Sequence, residues 1–143
     1  MVRRALTAAG ILGLTLALSA CGPPPFFFVQ AQACPSWVAY ETDEERTEAA
    51  DAVVVVTDIE ADGTGRYLGV DANAYRVRVI DAAKGPHRAD DVIRVISSAD
   101  PCGGALYAEG DPMLAGETLR LFLTRDDEGW STLTPFDGVS IVD

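Results

Sequence analysis

Asp51-Ala52-Val53-Val54-Val55-Val56-Thr57 decides the fold class, because a run of β-branched residues this dense suits a strand buried on both faces. It is expected to be the central strand. Downstream, Ala74-Tyr75-Arg76-Val77-Arg78-Val79-Ile80 alternates with period two, so Tyr75, Val77 and Val79 turn inward while Arg76 and Arg78 face water. Lys84-Gly85-Pro86 breaks the chain before a third strand, Asp91-Val92-Ile93-Arg94-Val95-Ile96-Ser97, which ends at the turn-forming Asp100-Pro101-Cys102-Gly103-Gly104. Residues 118–124 read as a fourth strand, 130–134 as a fifth and 139–142 as a short last one. Residues 60–73, with Gly63, Gly65 and Gly69, read as a flexible connection, and 105–116 as loop with one helical turn at most. Upstream, residues 41–50 read as a short helix: Thr42 caps its start, Glu45 completes a capping box, and Asp43 and Glu44 suit the positive end of the helix dipole. The sum is a small, mainly β domain in which most pairing is antiparallel and the sheet closes wholly or partly into a barrel.

The chain has 143 residues, 22 acidic against 11 basic, and a net charge of −11. That leaves room for one domain, and so negative a surface repels phosphate backbones, which excludes nucleic acid as a partner. Charged residues at 23% and apolar residues at 48% supply a core and argue against disorder.

The cationic start Met1 to Arg4 and the apolar run Ala5 to Leu18 form an export signal too short to span a bilayer comfortably. Leu18-Ser19-Ala20-Cys21 resembles the lipobox of bacterial lipoproteins, in which the cysteine is acylated and becomes the first residue of the mature chain. Residues 1–20 are therefore expected to be removed, leaving Cys21 as a lipid anchor in the bacterial cell membrane. Residues 21–33 form an uncharged tether stiffened by Pro23-Pro24-Pro25. Its Phe26, Phe27 and Phe28 either enter the headgroup layer or pack on the domain as an extra edge strand. The folded domain is residues 34–143.

With Cys21 lipidated, Cys34 and Cys102 remain, and two cysteines in an exported chain are most simply one disulfide. No spacing suits zinc. Asp58-Ile59-Glu60-Ala61-Asp62-Gly63 begins like a calcium loop, but its twelfth position is Gly69 where a bidentate Glu is required. His87, the single histidine, follows the turn Lys84-Gly85-Pro86 and reads as a solvated turn residue. Hydrolase and phosphate-binding motifs are missing, and no carboxylate stands in an apolar setting. A non-catalytic chain with no cofactor and no metal is expected.

Ala33-Cys34-Pro35, Glu48-Ala49-Ala50-Asp51 before the valines, Tyr75 to Val79 leading to Lys84-Gly85, Cys102-Gly103, and Gly116-Glu117 before Leu121-Phe122-Leu123 stand in an order that resembles the netrin-like domain of the tissue inhibitors of metalloproteinases and its bacterial relatives. The resemblance implies an OB-like five-stranded barrel with helices beside it, and a bridge from the first domain cysteine to the cysteine of a Cys-Gly pair, here Cys34 to Cys102. In the animal inhibitors the free amine of that first cysteine chelates a protease's zinc. Here Cys34 follows a tether, so its nitrogen is an amide with no lone pair to donate, and Pro35-Ser36 stands where those inhibitors carry Cys-x-Cys. Cleavage after Ala31-Gln32-Ala33 would expose the amine, but three prolines separate that site from the apolar segment a signal peptidase reads.

The expected function is thus a lipid-anchored binding module of the cell envelope that contacts a protein or glycan through a barrel face and the Cys34–Cys102 ridge. Pro35, Ser36, Trp37 and Tyr40 are the candidate partner contacts. The second expectation is an envelope metalloproteinase inhibitor acting by occlusion or through a newly exposed N-terminus.

Overall fold

The valine run lies at the centre of the sheet, with both of its edges occupied. In the computed structural model, which describes residues 34–142, it opens strand β1 (Ala52–Tyr67). Val56 pairs with Val79 of β2 (Val70–Lys84) on one side, and Val54 with Leu121 of β4 (Leu119–Asp126) on the other. Both faces are covered as well. Ala52, Val54 and Val56 enter the main core with Tyr75, Val77, Val79, Val95, Leu119, Leu121 and Leu123, whereas Val53 packs outside it with Ala50 and Phe122. This double burial is why the run reads as continuous apolar residues and not as an alternation.

Strands β3 (Val92–Ile96), β5 (Gly129–Thr132) and β6 (Val139–Ile141) complete a six-stranded sheet in the order β1-β2-β3-β5-β4-β6. Because β1 also pairs with β4, five strands close into a ring. Every pairing is antiparallel except β3 with β5, where Val95 faces Trp130 and Ile96 faces Ser131. That short parallel ladder is extended by Ser98, whose amide donates to Thr132 Oγ1 at 2.8 Å and whose hydroxyl donates to the Thr132 carbonyl. The result is a mainly β, barrel-like architecture with one short helix, compatible with a small OB-like fold.

The connection expected over residues 60–73 does not exist. β1 continues to Tyr67, the chain reverses at Leu68-Gly69, and β2 starts at Val70, making one long hairpin. Leu68 and Gly69 both have positive φ, 46° and 85°, the pattern of a type I′ turn whose twist matches that of the strands. The pairing register shifts four times between Val53 and Thr64, with Asp58 and Gly63 in the left-handed region. Such bulges bend a strand and raise its twist. The residues that look like breakers in the sequence are therefore the ones that coil the hairpin around the core. At Gly65 β1 passes close over β3: a Cβ there would lie 2.5 Å from Ile96 Cδ1.

Helix α1 (Asp43–Ala49) is shorter than the expected 41–50 but carries the expected capping box. The Glu45 amide donates to Thr42 Oγ1 at 3.2 Å, while Glu45 Oε2 accepts from the amides of Thr42 at 3.3 Å and Glu41 at 2.8 Å. Its other end is held by Lys84 Nζ, which donates to the carbonyls of Thr47 and Glu48 at 2.8 and 3.1 Å. Arg46 reaches Asp43 and Asp137 and lies over the Phe122 ring at 5.7 Å, so its side chain covers this residue on the outer face of β4. Between β3 and β4 the chain makes a single 3-10 turn, Pro112–Leu114, whose Met113 is fully buried in the main core.

Candidate interaction site

The Cys34–Cys102 disulfide is present, with Cα atoms 5.7 Å apart. It ties the first described residue to the loop that follows β3, and both cysteines are exposed, as are Ser36, Gly103, Gly104 and Ala105. Cys21 and the expected leader and tether, with Phe26, Phe27 and Phe28, lie outside the described residues.

The four candidate contacts separate. Ser36 is exposed, and Pro35 is half-buried beside the bond. Trp37 is turned inward: its ring stacks on Tyr67 at 6.2 Å between centroids, packed against a second cluster of Ala72, Ala74, Ile96 and Ala99. Tyr40 is half-buried, and its amide donates to Asp137 Oδ2 at 3.3 Å. The Trp37 ring and the Tyr40 amide thus anchor the N-terminal segment to the barrel, the indole by burying a large apolar surface that water would otherwise have to solvate.

Asp111 fixes the loop between β3 and β4. Its Oδ2 accepts from Asn73 Nδ2 and the Tyr75 hydroxyl, both at 2.7 Å, and its Oδ1 accepts from Ser97 Oγ at 2.7 Å and the Met113 amide at 3.0 Å. Tyr107 adds a bridge, donating its hydroxyl to the Ser97 carbonyl at 2.9 Å and accepting from the Asn73 amide at 3.0 Å. Burial raises the pKa of Tyr75, and the hydrogen bond to the Asp111 carboxylate raises it further; burial also raises those of Tyr107 and Tyr67. The Tyr75 and Tyr107 hydroxyls donate to Asp111 and to the Ser97 carbonyl in their protonated form, which the raised pKa favours.

Beside this loop runs a cleft of about 560 Å³ between residues 105–115 and Pro135-Phe136, reaching Asp100 next to the disulfide. Leu106, Leu114 and Phe136, 37, 68 and 62% exposed, line it. None of the three was picked out by sequence reasoning. Leu106 stands beside Tyr107, Leu114 beside Met113 and Phe136 beside Pro135, in segments without strand or helix periodicity, and bulky apolar residues in such segments were the available signal.

Other expected sites resolve differently. Two of the three carboxylates of the calcium-like stretch are taken by arginines: Asp58 by Arg78 at 2.9 Å, and Asp62 by Arg76 at 2.9 Å and Arg94 at 3.1 Å. His87 is not a solvated turn residue. It is half-buried and meets the Trp130 ring edge-on at 4.8 Å, while Arg125 lies 5.4 Å from the same ring. Burial lowers its pKa, Asp91 opposes that shift, and Arg125 adds to it. Among the described residues, no group of three or more His, Cys, Asp or Glu is placed to hold a metal ion, and no helix is long and apolar enough to cross a membrane. No protein-family model, curated protein or solved structure matches the chain.

Proposed function

We propose that this chain is a non-catalytic binding module of the bacterial cell envelope, anchored by an acylated Cys21 and contacting a partner protein through the ridge around the Cys34–Cys102 bond. The supporting observation is that the bond joins two exposed segments, residues 34–36 and 102–105, next to an apolar cleft and above a loop held by Asp111 and Tyr107. A rigid, partly apolar and exposed edge is what a binding surface needs, because little ordering entropy is lost on contact. Replacing Ser36 or Gly103 in the full-length protein by a photo-crosslinking residue should yield a discrete adduct on irradiation of intact cells. The same residue at Asp127, in the β4–β5 turn, should not. Equal adducts at all three positions, or none, would overturn the reading.

Inhibition of an envelope metalloproteinase is the second reading, supported by the pairing of Cys34 with the cysteine of Cys102-Gly103, the pairing that netrin-like domains would have. N-terminal sequencing separates the two. A chain blocked at Cys21 supports the tethered module, and a readable start at Cys34 supports the inhibitor.

A further inference from the structure

We infer that the cleft between residues 105–115 and Pro135-Phe136 is a docking groove for a peptide segment of a partner protein, one that presents bulky apolar side chains next to lysine or arginine. The inference rests on the binding-module reading and specifies the chemistry of its partner. Of the large apolar side chains the described residues leave exposed, Leu106, Leu114 and Phe136 come from two separate segments yet line one cleft. Scattered exposed apolar residues are ordinary, whereas a shared concavity marks a place where apolar surface is covered on binding. At about 560 Å³ the cleft falls within the usual span of ligand sites, roughly 300–1,000 Å³.

Its walls are already in place. The Asp100 amide donates to the Leu106 carbonyl at 3.1 Å, and the Gly110 amide to the Tyr107 carbonyl at 3.2 Å. Asp111 and Tyr107 tie the same loop to β2 and to Ser97 just after β3. On the opposite wall Thr134 Oγ1 accepts from the amides of Phe136 at 3.2 Å and Asp137 at 2.8 Å, following a proline. An occupant need not organise the groove before entering it.

Charge selects the occupant. The lining contains Asp100, Glu109 and Asp111 and no lysine, arginine or histidine, in a chain of net charge −11. Asp111 is engaged internally and the half-buried Asp100 accepts from the Cys102 amide through Oδ1, so the exposed Glu109 at the edge is the group a cation would meet. An apolar cleft edged by Glu109, on a chain of net charge −11, attracts a cationic, apolar peptide and repels an anionic lipid surface. That contrast favours a protein partner over the membrane itself.

The test uses the full-length protein in detergent and a fluorescein-labelled peptide in which Phe and Leu alternate with Lys, beside a matched peptide with Glu at each Lys. Fluorescence anisotropy should give at least about tenfold tighter binding for the Lys peptide. Leu114→Ser with Phe136→Ser, two exposed positions whose change leaves the core intact, should weaken it about tenfold, and Glu109→Lys should narrow the gap between the peptides. Equal affinity for both peptides, no binding, or undiminished binding by the double variant would overturn the inference. Retention of full-length Cys21→Ser protein on phosphatidylglycerol vesicles, lost in the double cleft variant, would assign the groove to lipid and overturn it as well. Crosslinking at Ser36 is a separate readout: adducts there without peptide binding would keep the module and remove the groove. Peptide binding without adducts would keep the groove and remove the ridge.

Discussion

Asp111 collects four donors from three segments, Asn73 and Tyr75 on β2, Ser97 after β3 and Met113 on the 3-10 turn, so its carboxylate must be an acceptor on both oxygens. An amide offers only one acceptor oxygen and points a second donor at the others. Asp111→Asn should therefore cost about 1–3 kcal/mol in urea unfolding followed by tryptophan fluorescence, and an unchanged midpoint would show that the network is not holding the loop. Nothing in the spacing of acidic residues singles out Asp111 among 22, because three of its four partners lie 14 to 38 positions away. His87 was hidden for the same reason: its partner Trp130 belongs to another strand. Its folded pKa is lowered, so its contribution to stability is complete above the ordinary value of 6.5 and is lost as pH falls through the folded value. Between about pH 7.5 and pH 5.5, most carboxylates are already ionised, so wild type should lose stability relative to His87→Gln as acid is added. A difference independent of pH would contradict this.

Strands announced themselves where alternation or β-branching was unbroken. β2 shows Tyr75, Val77 and Val79 buried with Arg76 and Arg78 exposed, as the period of two requires, and α1 begins where its capping box stands. The second half of β1 was not legible because bulges interrupt its period, and polar residues face water there while Arg76, Arg78 and Arg94 pair with Asp58 and Asp62. Glycine had to be read by environment and not by type. At Gly69, φ is +85° and nothing lies within 4 Å of a built Cβ, so Gly69→Ala should cost only the left-handed penalty of about 1–2 kcal/mol. At Gly85, φ is +96° and the Cβ would also lie 2.6 Å from Ala52 Cβ and 2.9 Å from its Cα, at the opposite end of the same hairpin. Gly85→Ala should add roughly 1–3 kcal/mol of overpacking to that penalty. Equal midpoint losses for the two variants in urea would mean that the hairpin end shifts freely.

At the scale of the molecule the ring of strands leaves little slack, and the disulfide spans 68 positions from the start of the described domain to the loop beside the cleft. Linking such distant points restricts the unfolded chain, and replacing Cys34 and Cys102 together by alanine should cost about 4 kcal/mol. The bond was legible by counting cysteines, yet the count only worked because Cys21 was assigned elsewhere. That assignment makes a demand of its own. A net charge of −11 opposes adsorption to an anionic bilayer, so under the proposed function the lipid on Cys21 is what has to hold the domain at the membrane. Several acyl chains, each buried CH₂ contributing about 0.8 kcal/mol, would overcome that repulsion many times over. Metabolic labelling with a fatty-acid analogue should therefore mark the wild-type protein and miss Cys21→Ser, which would instead be retained uncleaved or released. Labelling of both would place the acyl group on another residue, and labelling of neither would return Cys21 to the pool of thiols and reopen the pairing count.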